Sequence, residues 1–441
     1  MYKRQTELSQ SRLTTVPVLD PQYCFIKPFV AHTERNFYEN GEVFSDRPAG
    51  LRFIDGESRG IAGTSGELWK IHRKFAMTTL RNFGMGKTCM ESTIKSEIGC
   101  LLETIKMERG QPIDLADTIH ISIANIICAV AFSKRFEDGD GEFLGLWKNI
   151  EDLLKRKGVT VGLRSKFLEF LPIDIFGIKH FQSIFKQTND YLREVYEEHV
   201  QTFDGDRIRD YTDAFIQEQK SAELNGVVSD FTVPQALGEL TDLFQAGTET
   251  TATTLRWALL YMLKYPETQD KIRAEIDEFI GSGNAPSLKD RSIMHYTEAF
   301  ISETLRFACI VPMAAPHCAT RDFKLGDLLI PKASIVVPNL ESVLSDPEIW
   351  ENPDQFSPER FLDENGRCIQ RDELIPFSLG PRVCLGQSLA RMELFLFLTI
   401  LVQQFIFTRP DDEKDTPLDI VGVRGIVHIP TPYRLCAKHR L

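Results

Sequence analysis

Phe377-Ser378-Leu379-Gly380-Pro381-Arg382-Val383-Cys384-Leu385-Gly386 decides the reading of this chain. It leads directly into the apolar run Leu389 to Phe397 and beyond, which reads as a helix. Cys384 therefore stands just before a helix start. Unpaired backbone N–H groups and the positive end of the helix dipole both favour a charged sulfur there. Arg382 adds a cation two residues away. Gly380 and Gly386 let the backbone turn sharply and come close to a large flat partner.

A thiolate held in this way is the axial ligand that an oxygen-splitting haem requires, because it pushes electron density onto the iron. The segment resembles the haem-binding loop of the cytochrome P450 monooxygenases, Phe-x-x-Gly-x-Arg-x-Cys-x-Gly. Phe377, Gly380, Arg382, Cys384 and Gly386 match every fixed position of it. The resemblance implies haem b bound through Cys384 as the metal ligand.

Upstream, Ala246-Gly247-Thr248-Glu249-Thr250-Thr251 lies inside a long helical pattern from Phe231 to Lys264. It resembles the oxygen-activation motif of that family, small-Gly-x-acid-Thr. Ala246 and Gly247 leave room beside the haem, while Glu249 and Thr250 form an acid–alcohol pair for proton delivery. Packing by small residues in a Thr-rich helix is the plain alternative. Glu303-Thr304-Leu305-Arg306 places opposite charges on one helix face. Alone that is a surface ion pair. In the family this pair joins a later Arg, here Arg360 in Phe356-Ser357-Pro358-Glu359-Arg360-Phe361, as a buried structural triad.

Trp69-Lys70-Ile71-His72-Arg73 resembles the family's Trp-x-x-x-Arg helix, in which Trp69 and Arg73 share a face and donate to a haem propionate. His317 and Arg382 match further propionate contacts. Phe244, Ala246, Val311, Met313, Ala314 and Ile426 are implied to line the substrate pocket, with access through residues 54–64 and 146–185. Lys70, Arg73, Lys74 and Arg81 form a basic stretch, either a solvated face or a docking patch for an acidic reductase.

The remainder of the sequence is consistent with this frame. A formal charge of −12 over 441 residues argues against a nucleic-acid partner. Nine cysteines without paired or zinc-like spacing read as free thiols. Gly84-Met85-Gly86-Lys87-Thr88 lacks the glycine and strand of a phosphate loop, and Asp138 to Glu142 lacks the twelve-residue calcium spacing. No Gly-x-Gly-x-x-Gly fingerprint is present, so electrons are expected from a partner; the resemblance implies NADPH-cytochrome P450 reductase, with NADPH as the indirect donor.

Helical periods at Glu91–Glu108, Asp117–Phe132, Pro266–Ile280 and Ser292–Phe307 precede short β-rich pieces at Phe323–Ile330, Ser334–Val337, Gly425–Pro430 and Tyr433–Cys436. The fold expected is α+β, mainly α, as one domain over residues 1–441. Residues 1–40 do not resemble the anchor and hinge of the microsomal members. Membrane contact is therefore expected to be peripheral or absent, at the cytoplasmic face of the endoplasmic reticulum or in the cytoplasm. The resemblance, which runs over about residues 40–441, implies insertion of one atom of O2 into a small apolar organic substrate. Two alternatives stay open: a same-fold peroxide isomerase or dehydratase, and a non-catalytic haem-binding product.

Overall fold

The computed structural model describes residues 23–26, 41–48, 57–137, 139–155, 178–281, 283–325 and 328–440. Its body is helical. In chain order the helices are α1 (Gly60–Gly63), α2 (Gly66–Asn82), α3 (Met90–Met107), α4 (Ala116–Phe132), α5 (Gly141–Lys155), α6 (Ile178–Thr202), α7 (Tyr211–Leu224), α8 (Val233–Lys264), α9 (Pro266–Phe279), α10 (His295–Ala308), α11 (Leu340–Leu344) and α12 (Gln387–Gln404).

The long helix α8 organises the rest. Its 32 residues span about 48 Å at 1.5 Å per residue. The Thr232 hydroxyl accepts from the Gln235 N–H, and Pro234 occupies the first turn, where its missing N–H costs nothing. Pro266 ends the helix by driving Tyr265 out of the helical region, to φ −126° and ψ 71°. α4, α6, α10 and α12 all pack on it. α4 and α12 are apolar on nearly every side, and both are buried on nearly every side. They form, with α8, the heart of the hydrophobic core.

The expected starts and ends hold closely for α3, α4, α8 and α9. The helix expected from Ser292 instead begins at His295. A short 3-10 turn, Leu288–Ser292, precedes it, and Ser287 and Asp290 close a capping box there.

The β structure is small. β1 (Tyr23–Ile26), β2 (His317–Cys318), β3 (Phe323–Leu325), β4 (Leu328–Ile330) and β5 (Ile335–Pro338) come before α12. β6 (Phe405–Thr408), β7 (Val423–Arg424), β8 (His428–Ile429) and β9 (Cys436–His439) follow it. One sheet runs β1-β5-β2, with Tyr23 beside Ile335 in parallel register and His317 opposite Val336 in antiparallel.

The β-rich piece expected at Phe323–Ile330 holds two strands, β3 and β4, paired antiparallel. Two expectations are corrected. The strand expected at Tyr433–Cys436 starts at Cys436 and pairs with β6, which the sequence did not announce. Phe405 and Phe407 continue the apolar run of α12, so the change of period is hidden there. Finally, β1 lies within the first forty residues, where no element of the fold was expected.

Candidate active site

The cysteine loop closes on itself by short backbone bonds. Gly380–Arg382 forms a 3-10 turn, the Val383 N–H donates to the Gly380 carbonyl at 3.0 Å, and the Cys384 N–H donates to the Phe377 carbonyl at 3.0 Å. Gly380 sits at φ +77°, a left-handed value that a side chain would strain. Gly386 does not need that freedom, since its φ is −86° as the N-cap of α12. What the two glycines share is open space: a Cβ built on either meets nothing within 4 Å. They leave the backbone bare for something to lie against.

The Cys384 thiol is accessible even though protein surrounds most of it. Burial pushes its pKa up. The N–H groups of Gly386 and Gln387 and the Arg73 guanidinium pull the other way without overcoming it. The helix start alone thus does not make a thiolate. A bound metal ion would, since a coordinating thiol is deprotonated outright.

Next to the loop is a nest of half-buried to buried cations. Arg73 Nη2 of α2 donates to the Val383 carbonyl at 2.6 Å, tying α2 to the loop. Arg382 lies 4.0 Å over the Trp69 ring and donates to the carbonyls of Ser45, Ile61 and Thr64. Arg47 donates to the carbonyls of Ala62, Ala315 and Pro316. Burial, and then repulsion among these guanidiniums, brings Arg382 down to about 9, and burial brings Arg47 down to about 10. His317 is buried and held neutral, its pKa lowered to about 3 by burial and by Arg47. Its Nδ1 donates to the Phe44 carbonyl at 2.5 Å.

In the midst of this, the Trp69 indole N–H is buried without a hydrogen-bond partner. An orphaned donor beside mutually repelling cations is matched by an anionic group. The sulfur, the bare glycines, the cations and the indole together fit a haem with its propionates. Cys384 would hold the iron. Trp69, Arg73, His317 and Arg382 would be the residues to meet the haem carboxylates.

Glu303, Arg306 and Arg360 meet as a buried triad. Arg306 clasps Glu303 with two bonds of 2.7 and 2.8 Å, and Arg360 Nε reaches the same carboxylate at 3.0 Å. Side-chain exposure of Glu303 and Arg306 is 0 and 1%, which excludes the surface-pair reading. Arg306 also donates to the carbonyls of Leu344, Pro353 and Gln355, and Arg360 to those of Glu351 and Gln355. The triad therefore pins the irregular segment that leads towards the cysteine loop.

On α8, Ala246 is exposed and Thr250 half-buried, with the Thr250 hydroxyl donating to the Ala246 carbonyl at 2.9 Å. Gly247 serves another purpose than expected. A Cβ there would come within 2.9 Å of Ile127, so the glycine admits α4 rather than a ligand. Glu249 is 2% exposed and turns towards α4, with one oxygen accepting from Thr253 Oγ1 at 2.6 Å and the other 3.6 Å from His120 Nε2. Neighbours in sequence are about 100° apart on a helix, so the acid and the alcohol leave α8 in different directions.

The expected pocket residues divide. Phe244 is 1% exposed and packs between Phe132 and Phe143, a core position and not a wall. Ala314 is buried with Cys309, Leu340 and Ile375. Val311 and Ile426 are half-buried and Met313 is exposed. Of the access segments, residues 54–56 and 156–177 lie outside the described residues. The basic stretch is thinned: Lys70 pairs with Glu67 at 2.7 Å and Arg73 turns inward, leaving Lys74 and Arg81 on the exposed side. Three residues had no individual reading in the sequence: Arg47, His120, and Asp242, whose buried carboxyl accepts from the Ala62 N–H at 2.8 Å. Each acts through partners far away in the chain.

Comparison with known proteins agrees with this geometry. The family profile described as Cytochrome P450 matches residues 31–437. Cytochrome P450 2C8 of Homo sapiens is 39% identical over 409 residues, covering 90% of this chain and 81% of that protein. Cytochrome P450 2J2 of Homo sapiens is 38% identical over 420 residues, covering 93 and 80%. Cytochrome P450 2H1 of Gallus gallus is 37% identical over 404 residues, covering 90 and 80%. With the cysteine loop, the orphaned indole and the buried triad already in place, the chain belongs to the cytochrome P450 family, as a haem b monooxygenase.

Proposed function

We propose that this chain inserts one oxygen atom of O2 into a small apolar organic substrate of the xenobiotic, steroid or fatty acid class. Its electrons come from NADPH-cytochrome P450 reductase at the cytoplasmic face of the endoplasmic reticulum. Haem, when bound, supplies the oxygen-splitting chemistry, with thiolate donation from Cys384. The rest is the protein's work. Gly386 and Gln387 hold the sulfur by their N–H groups. Trp69, Arg73, Arg382 and His317 orient the carboxylate edge of the cofactor. Ala246 keeps the α8 surface low for substrate. Thr250 presents a hydroxyl, and Glu249 is the acid that renews its proton. Lys74 and Arg81 offer the exposed positive charge that an acidic reductase would meet. Among the described residues no helix is long and apolar enough to cross a membrane.

One observation carries the reading: the Cys384 sulfur receives two N–H donors beside a buried, unpartnered Trp69 N–H and a nest of arginines. The acid–alcohol pair on α8 favours oxygen insertion over the peroxide-rearranging alternative. The test is a carbon monoxide difference spectrum on the reduced, haem-loaded protein, with Cys384→Ala beside it. The wild type should show the thiolate band and the variant should not. A thiolate band surviving in Cys384→Ala would remove the assignment.

A further inference from the structure

The carboxyl of Glu249 has a partner that the oxygen-activation motif does not contain. His120, on α4, is 1% exposed, and its ring lies tilted against that of Trp147 of α5, 4.1 Å between centroids. Its Nδ1 lies 2.7 Å from the Ala116 carbonyl, an acceptor only, so Nδ1 carries a hydrogen. Its Nε2 points at Glu249 Oε2 across 3.6 Å. Both Nε2 and Oε2 are buried and have no other hydrogen-bond partner, while Oε1 is occupied by Thr253.

Two bare lone pairs facing each other out of water would leave two buried polar atoms unsatisfied. One proton between them satisfies both. A small turn of the carboxyl then closes the gap to hydrogen-bonding distance. The pair thus exists as imidazolium with carboxylate, or as imidazole accepting from a carboxylic acid. The charged groups around it are few. α8 contributes Glu249 and the nearly buried Arg256. α5 contributes Glu151, which binds Arg256 at 3.3 Å and Lys155 at 3.2 Å, and whose carboxyl feels the His120 charge. α4 itself contributes Asp117, paired with Lys148 of α5 at 3.5 Å.

We propose that His120 is a positioning residue for the reaction: it shares one proton with Glu249 and reloads the carboxyl after each delivery. This rests on the reading of Glu249 as the proton-supplying acid. The step balances simply. The proton on Oε2 leaves with the carboxyl as it turns towards the site. That leaves His120 Nε2 bare; it takes up a proton from solvent, and the carboxylate shares that proton on its return, so one proton enters for each one delivered. No electron moves.

The test has two parts. In the resting, oxidised protein, histidine nitrogen NMR and the infrared carboxyl band of Glu249, identified by its absence in Glu249→Gln, are followed against pH. Shared occupancy predicts that imidazole and carboxyl signals change together, as one proton. It also predicts that His120→Gln, which donates a hydrogen bond but cannot yield a proton, removes that joint step. Two separate, uncoupled titrations in the wild type would overturn the proposal, whether or not any variant folds.

In turnover, His120→Gln should release up to about tenfold more peroxide per reductant consumed, short of the roughly 10²-fold that a general acid itself supplies. Its carbon monoxide band should stay normal. An unchanged peroxide ratio with a normal band would refute His120 alone. A wild type lacking the band would instead refute the monooxygenase reading beneath it.

Discussion

Removing Arg306 should cost this protein its cofactor before it costs any chemical step. In the folded state the guanidinium is 1% exposed and makes two bonds to Glu303 and three to the carbonyls of Leu344, Pro353 and Gln355. Breaking a buried pair by deleting one partner costs about 3–5 kcal/mol. Glu303 keeps Arg360 at 3.0 Å and the Ser357 N–H at 2.9 Å, which holds the cost to the lower end. The three carbonyls add to it, at about 1–3 kcal/mol for each that no water reaches. A domain has about 5–15 kcal/mol in all, so Arg306→Ala consumes a large part of the margin.

The shift in Tm is smaller than that suggests. At about 2.1 cal/mol/K per residue, unfolding a chain of this length carries roughly 0.9 kcal/mol/K, so about 3–5 kcal/mol moves Tm by only about 3–5 °C. Haem-loaded yield is the sharper assay, because the segment released is the one that leads to Cys384. We expect a strong loss of the ratio of haem to protein in the soluble fraction. Arg306→Lys should be intermediate, since an ammonium cannot make the two-pronged bond. Arg306→Ala recovered at wild-type haem content and within about 1 °C of the wild-type Tm would refute the triad's role.

Thr250→Ala should leave the thiolate band intact and divert reductant into peroxide, because it removes the half-buried hydroxyl but no structural bond beyond the one to Ala246; an unchanged ratio of product to reductant would count against its proton role. Stability against pH isolates Glu393, which is fully enclosed beneath α8 and has its pKa raised by burial from 4.5 to about 8. The folded state holds that proton more tightly than the unfolded chain. Its contribution is thus complete below about 4.5 and is lost as pH rises towards 8, at an upper scale of roughly 4–5 kcal/mol. Glu393→Gln should flatten that decline in denaturant titrations between those limits, and an identical pH slope in the variant would contradict the buried, protonated carboxyl.

Much of the site was legible because its parts are local in the chain. Cys384 and the N–H groups of Gly386 and Gln387 lie within four residues, and Gly380 is required by its own backbone angle. Glu303 and Arg306 sit one helical turn apart. Thr232, Pro234 and Pro266 bound α8 by rules that act within a turn. Such features depend on covalent spacing and backbone sterics, which a sequence states directly. Buried helices such as α4 and α12 were equally plain, since an uninterrupted apolar run has no other stable place.

Tertiary structure alone decided what lies opposite each side chain. Gly247 faces Ile127 and not a ligand, and Phe244 belongs to an aromatic core and not to a pocket wall. Both follow from the rotation of α8 against α4, and no local pattern encodes that rotation. Arg47 joins the cation nest through carbonyls of residues that are remote in sequence. Glu249 meets His120 because two helices cross at that height. The physical reason is common to all of them: burial energy and electrostatics act through space, so a charge or a gap acquires its meaning from the neighbour that packing brings to it.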